Sequence, residues 1–330
     1  MRIKETKIYN YLRSYIVQFR IYKYHYYDAK RYIKYSNSIN YDGSKNKILS
    51  TIEITSHVIE KGLTMPKVRL GFGQKNILFL INKCNYFIDK YNSSDSQILH
   101  AIGVLVEYQK YHQKSKFELP SGLMDKISII ADKVPNFMKA EQKQIGKDRF
   151  SAIRDCNFNV FASSRFSLRN YDSREIPIET IFNAIEMAQT SPSSCNRQPA
   201  RVHIYSNQNK INEILALQNG NRGFGHLSNK LLIITVDLSG YKTHKERTMF
   251  WVDGGIYLLN LIYSLQYHEI GSCILNWGVD KKDDTKLRNI SNIPNNESII
   301  ALVTCGYVPN NCSAVLSPKK YYAETSIHHK

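Results

Sequence analysis

The chain has 330 residues, 42% hydrophobic and 22% charged, enough apolar material for one large core or two ordinary ones and too much for a disordered chain. Its formal charge of +17 is uneven: residues 1–150 hold 26 basic and 13 acidic side chains, a net of +13, which leaves 19 basic and 15 acidic, a net of +4, for 151–330. A basic half suits an anionic surface such as lipid head groups, or simply reflects a chain rich in Lys, Ile, Asn and Tyr, and with no RNP, KH or zinc-finger pattern nucleic acid is not expected.

The longest apolar stretch of the first half, "ILFLINKCNYFI" (77–88), is broken by a lysine and too short to span a bilayer. The N-terminus lacks a signal-peptide pattern, so a cytoplasmic protein is expected. The six cysteines form no CxxC and are expected as free thiols, although Cys305 and Cys312 could meet across a turn. The ten histidines have no HExxH-like spacing, so no metal site is expected, and His328 and His329 read as a tail.

In chain order, helical spacing predicts helices over 9–35, 48–60, 75–91, 95–113 and 121–143. Loops separate them at 36–46, 62–74, 92–96 and 118–122. From residue 160 the pattern changes. A helix is predicted from Pro177 to about Thr190, then strands at 202–206, 231–237, 272–276 and 298–307. Helices fall between the strands at 209–218, 246–268 and 281–290, which implies one sheet covered by helices. The 246–268 helix starts with "DGG" and is apolar nearly all round, as in a core or a subunit interface. The chain divides into a helical region, 1–150, and a second domain, 151–330.

Three motifs carry candidate chemistry. In "SRFSLRNYD" (164–172), Arg165, Ser167 and Arg169 alternate, so an extended backbone points all three to one side, a receptor for a phosphate or a planar anion or else a solvated basic strand. In "SPSSCNRQP" (191–199), Ser193, Ser194, Asn196 and Gln198 crowd donors and acceptors between Pro192 and Pro199. A polar loop that satisfies the preceding helix end would look the same. In "SPKKYYAETSIHHK" (317–330), Lys319 and Lys320 follow the last strand, either as anion ligands or as a basic tail.

The order RxSxR, helix, PSxxNxQP, strand, "DGG…NLIYSLQYHEIGSC" and "GYVP…SPKK" resembles the FMN-dependent nitroreductase family over about 160–325. The resemblance implies an α+β fold, a nitroreductase-like mixed sheet flanked by helices, preceded here by a mostly α-helical N-terminal region. It implies FMN as cofactor and NAD(P)H as electron donor. Hydride would pass through flavin N5 to an acceptor in two half-reactions, with no dedicated acid–base residue, in a homodimer whose seam is the 246–268 helix. By the same resemblance Arg165 and Ser167 match contacts to the FMN phosphate and ribityl chain, and Arg169 matches a cation beside N1 and O2. Pro192, Ser193, Ser194, Asn196 and Gln198 match the segment packed around the flavin, often from the opposite subunit. Ile274, Leu275 and Asn276 match the strand that passes the ring, and Lys319 or Lys320 matches a late phosphate contact. A cation near N1 favours the reduced, anionic flavin, and the phosphate calls for charge-assisted bonds.

The sequence departs from the family where "ILNWG" stands in place of a glycine pair: Trp277 either flanks the substrate side or is a core residue. Ala200 stands where an aromatic often follows NxQP and opens space. The stretch "HVIEKGLTMPKVRLGFG" (57–73) resembles helical extensions that precede nitroreductase-like domains in some bacterial proteins of polysaccharide gene clusters. Lys61 or Arg69 there would hold an anionic small-molecule substrate, or serve a helix cap and a salt bridge. Two other readings stay open: a flavin-fold scaffold with little turnover that docks through its basic helical half, and a peripheral membrane module built on that half.

Overall fold

The computed structural model describes residues 7–35, 44–91, 95–120, 122–241, 244–315 and 317–329. The loops expected at 36–46 and 92–96 fall largely outside them. The first part is helical: α1 (Lys7–Tyr35), α2 (Lys45–Leu63), α3 (Gln74–Tyr91), α4 (Ser96–Lys114) and α5 (Leu123–Lys133). Residues such as Ile52, Ile59, Leu80, Phe87, Ile102, Leu105 and Ile127 recur at helical spacing and close into one core spanning 48–140. Asp95 starts α4 by accepting from the Gln97 N–H at 3.1 Å. α1 stands apart from that core. Its Asp28 pairs with Arg247 and its Tyr24 stacks on His244, which ties it to the second half of the chain.

The fifth helix ends ten residues before the sequence pattern predicts. Pro135 cannot continue it and forces Val134 out of the helical region, to φ −136° and ψ 70°. The chain then crosses α4, where Met138 N–H donates to Leu99 O at 3.1 Å. The crossing is so close that a Cβ on Gly103 would lie 1.8 Å from Met138 O, so only glycine fits. It continues into β1 (Lys143–Ile145), a strand absent from the sequence reading, and into α6 (Lys147–Ala152) and α7 (Phe158–Ser163).

The second part holds α8 (Ile178–Ala188), β2 (Ala200–Tyr205), α9 (Gln208–Leu215), β3 (Lys230–Asp237), α10 (Met249–Tyr267), β4 (Ile270–Asn276), α11 (Lys281–Ser291), β5 (Glu297–Tyr307), β6 (Cys312–Ala314) and α12 (Tyr322–Thr325). All four strands of the main sheet fall where the apolar runs predict them. Their order is β2-β3-β5-β4, and β1 pairs separately with β6. Where a mixed sheet was expected, every pairing among the described residues is antiparallel. Alternation along β3 sorts its side chains: Leu231 and Ile233 join the core under α9 and α11, while Leu232 and Ile234 join the core under α8 and α10. The architecture is therefore α+β, a sheet between two helical layers, preceded by a helical region. All six cysteines are free thiols. No helix among the described residues is long and apolar enough to cross a membrane.

Candidate functional site

The segment 165–172 runs along the outer edge of β4. Leu168 N–H donates to Ser272 O at 3.0 Å, and Tyr171 OH donates to Leu168 O at 2.8 Å. Leu168 is fully buried, so its neighbours at 167 and 169 turn the other way. Arg165, Ser167 and Arg169 accordingly line one pocket, of about 340 Å³, with Ser163, Phe166, His57, Val315, Ser317, Pro318 and Lys319. Ser317 bends the C-terminal segment into it with φ +42°. That segment is fixed from behind by the helical half, where Lys320 pairs with Glu53 at 2.6 Å and Glu324 accepts from Ser96 Oγ at 2.9 Å. Of the two predicted lysines, Lys319 reaches the pocket and Lys320 is spent on Glu53.

The pocket's electrostatics are one-sided. Among the described residues, no carboxylate lines it. Arg169 is 7% exposed, and its Nε is buried with no hydrogen-bond partner. A buried guanidinium N–H left unpaired costs on the order of 1–3 kcal/mol, which a bound acceptor would recover. Cys273, which is buried, lies within electrostatic reach of the pocket's cations. Burial pushes its thiol up, opposed by the charges of Arg169, Lys61 and Arg165 and a hydrogen bond from Ser167. An anion with several oxygens satisfies this donor set: two guanidinium groups, an ammonium and a hydroxyl. The residues present therefore fit the phosphate of FMN.

β4 is an edge strand. Since Ser272 O faces Leu168, the main chains of Ile274 and Asn276 face the same outer edge by alternation. Asn276 O there accepts from Gln218 Nε2 at 3.1 Å. Ile274 lies between two occupied positions with its own main chain turned outward. Leu275 has its main chain in the ladder with Leu302 and its side chain buried. Trp277 donates from Nε1 to Asp284 Oδ1 at 2.9 Å and packs against the core beneath α11.

The "SPSSCNRQP" turn lies elsewhere. Pro192, Ser193 and Gln198 line a second pocket of about 470 Å³, with side chains of α8, β2 and α10, and it shares no lining residue with the first. Within one chain the turn and the cationic pocket do not form a single slot. The turn is held under strain, with Cys195, Asn196 and Gln198 all at φ near +50°. Its anchor is Asp253 of the "DGG" motif, which accepts from Ser194 N and Ser194 Oγ, each at 2.9 Å, and from Tyr241 OH at 2.7 Å. Arg197 adds a bond to Glu246 at 2.8 Å. Asn260 meanwhile donates to Ala188 O at the end of α8, at 3.2 Å. The side chains of Asn196 and Gln198 stay exposed, Gln198 Nε2 donating to Asn196 Oδ1 at 3.2 Å, while the Gln198 N–H donates to Ser193 Oγ at 2.9 Å.

Of the N-terminal candidates, Lys61 is half-buried, donates to Gly220 O at 2.9 Å and lies within electrostatic reach of Arg169. Arg69 is exposed and lines neither pocket. Sequence reasoning passed over Asp253 and His57 as site residues. Asp253 was visible as the one carboxylate in an apolar helix, and no signal marked His57 beyond its place in an unusual stretch.

The helix-flanked α+β fold thus carries, at a sheet edge, a pocket whose charged lining groups among the described residues are basic. Residues 162–220 match the family model described as Nitroreductase family. The chain is similar to the nitroreductase family protein of Streptococcus pneumoniae TIGR4 at 18% identity, over 53% of this chain and 100% of that one, with a TM-score of 0.45. It is similar to a nitroreductase-like protein of Streptococcus mutans at 18% identity, over 53% and 98%, TM-score 0.45. It is also similar to an FMN-dependent nitroreductase of Clostridium difficile R20291 at 17% identity, over 51% and 96%, TM-score 0.41. No curated protein matches the sequence.

Proposed function

We propose that this chain is a flavin-dependent oxidoreductase that holds FMN at the β4 edge and draws electrons from NAD(P)H. One observation carries the reading: Arg165, Ser167, Arg169 and Lys319, from distant parts of the chain, surround one carboxylate-free pocket in which Arg169 Nε has no partner. In this reading Arg165, Ser167 and Lys319 hold the phosphate. Arg169 supplies a fixed positive charge deeper in the same wall, and the outward main chain of Ile274 offers an N–H toward the ring. When bound, FMN supplies hydride transfer at N5, accepting from NAD(P)H and passing electrons to a second small molecule.

A homodimer completes the reading. α10 exposes Val252, Ile256 and Leu259 along one face, and Trp251 beside them. Such a stripe suits a symmetric partner helix. In this reading the turn 191–199 of one copy reaches the cationic pocket of the other, so that Pro192, Ser193, Ser194, Asn196 and Gln198 contact flavin across the dimer. We place the protein in the cytoplasm.

The test is spectroscopic. The purified protein, supplied with FMN, should retain it through gel filtration with a flavin absorbance band that bleaches on adding NADH or NADPH without oxygen. A colourless protein after FMN addition refutes the proposal. The second reading, a docking role, draws on α1, which exposes Tyr11, Tyr15, Phe19 and Tyr22 beside basic residues. Salt-sensitive binding to anionic liposomes, with no bleaching of bound flavin, would favour it.

A further inference from the structure

The cationic pocket is not built by the C-terminal half alone. His57, from α2 of the helical half, stands in its lining beside Arg165, Arg169 and Lys319. One turn further along the same face, about 6 Å at 1.5 Å per residue, Lys61 reaches Gly220 O at 2.9 Å. Burial first, and then the guanidinium groups of Arg169 and Arg222, hold the Lys61 ammonium below its usual pKa. An anion placed among these cations would favour the charged lysine.

The surroundings of His57 are organised rather than incidental. Its Nδ1 lies 3.8 Å from Glu60 Oε2, and His100 Nε2 lies 2.9 Å from Glu60 Oε1. Glu60 and His100 are both about 6% exposed. With Nδ1 turned to a buried carboxylate, Nε2 is the nitrogen left for the pocket. On its other side His57 borders a smaller polar cavity of about 130 Å³, lined also by Glu53, Glu60, Gln97, His100 and Pro318. Both nearby carboxylates are engaged, Glu53 by Lys320 and Glu60 by the two imidazoles. Neither lines the cationic pocket itself.

We infer that the face of α2 carrying His57 and Lys61 is part of the cofactor site: His57 is a further ligand of the phosphate, and Lys61 a second cation reinforcing Arg169. The inference rests on the flavin reading of the same pocket. It makes the helical half a wall of the site rather than an appended module. The tail of the ligand is then gripped from both halves at once, by Arg165, Ser167 and Lys319 on one side and by His57 on the other.

The test titrates FMN, riboflavin and inorganic phosphate into the full-length protein, following quenching of flavin fluorescence and, for phosphate, competition with FMN. Three variants accompany the wild type: His57→Ala, His57→Lys and Lys61→Met. His57→Ala should bind FMN about tenfold more weakly, the loss of one hydrogen bond to a charged group. It should lose phosphate by the same factor and leave riboflavin unchanged. His57→Lys, which keeps a donor at that position, should stay within about threefold of wild type for FMN. Lys61→Met should lower the midpoint potential of bound FMN. If His57→Ala keeps the wild-type preference for FMN over riboflavin, or weakens both flavins alike, His57 is no phosphate ligand. An unchanged potential in Lys61→Met removes Lys61 from the site. A wild-type protein that binds neither flavin overturns the flavin reading itself, and this inference with it.

Discussion

Removing the Asp253 carboxylate should unfasten the 191–199 turn, and the structure sets the size of the effect. Asp253 is 3% exposed and accepts three hydrogen bonds, two from Ser194 and one from Tyr241. Burial and the Asp253 carboxylate together push Tyr241 well above its ordinary pKa, which marks how closely the two groups are held. In Asp253→Ala, the Ser194 N–H and the Tyr241 hydroxyl lose their acceptor. Each bond to a charged group contributes roughly 1.5–3 kcal/mol, and the losses are not additive within one network. Release of the strained residues Cys195, Asn196 and Gln198 returns on the order of 1 kcal/mol each. The net expectation is a loss of about 3 kcal/mol in urea unfolding free energy. Asp253→Asn keeps one acceptor oxygen for Ser194 and offers Tyr241 an amide that its oxygen can accept, so it should lose only about 1 kcal/mol. Circular dichroism during urea unfolding measures both. An Asp253→Ala variant within about 0.5 kcal/mol of wild type, the range of neutral surface changes, would refute the anchoring role.

Arg169→Met should lower the midpoint potential of bound FMN by on the order of 30 mV, the two-electron equivalent of about 1.4 kcal/mol, more than it weakens binding; an anaerobic dye-linked titration reads it. Leu259→Arg places an unpaired charge in the exposed apolar stripe of α10; light scattering should show the mass fall from dimer to monomer. Acid stability should depend on Glu60. Burial pushes its carboxyl up, but hydrogen bonds and charges from His100 and His57 outweigh that and hold it below its usual value of 4.5. A depressed carboxyl contributes stability that is full above the unfolded value and is lost as pH falls through the folded one. Melting temperatures between pH 6 and pH 3 should therefore fall in the wild type below about pH 4.5, and less steeply in Glu60→Gln.

The strands were legible because β3 and β5 are central, buried on both faces, and spelled by unbroken apolar runs such as "LLIITVD". The helices of the first half were legible from spacing alone. β1 was not: three residues pair with another three nearly 170 positions away, and nothing local marks such a pairing. The end of α5 was written in Pro135, which the helical spacing around it obscured. In the site, the alternation of Arg165, Ser167 and Arg169 translated directly into one lined pocket, because Leu168 between them had to be buried. The polar turn was read for its side chains. Of these Ser194 is bonded to Asp253, 59 positions later, and the intervening Arg197 to Glu246, 49 positions later. His57 was hidden for a similar reason: a half-exposed histidine on a helix acquires meaning only when another part of the chain packs against it.

The most direct measurement of the central claim is the ratio of FMN to riboflavin affinity in the wild type and in Arg165→Ala. The two ligands differ only by the phosphate. If Arg165, Ser167 and Lys319 hold that group, the wild type should prefer FMN by about 100-fold, the equivalent of roughly 2.7 kcal/mol. Arg165→Ala should give up about a factor of ten of that preference while riboflavin affinity stays fixed. Equal affinity for the two flavins in the wild type, or a preference untouched by Arg165→Ala, would contradict the account.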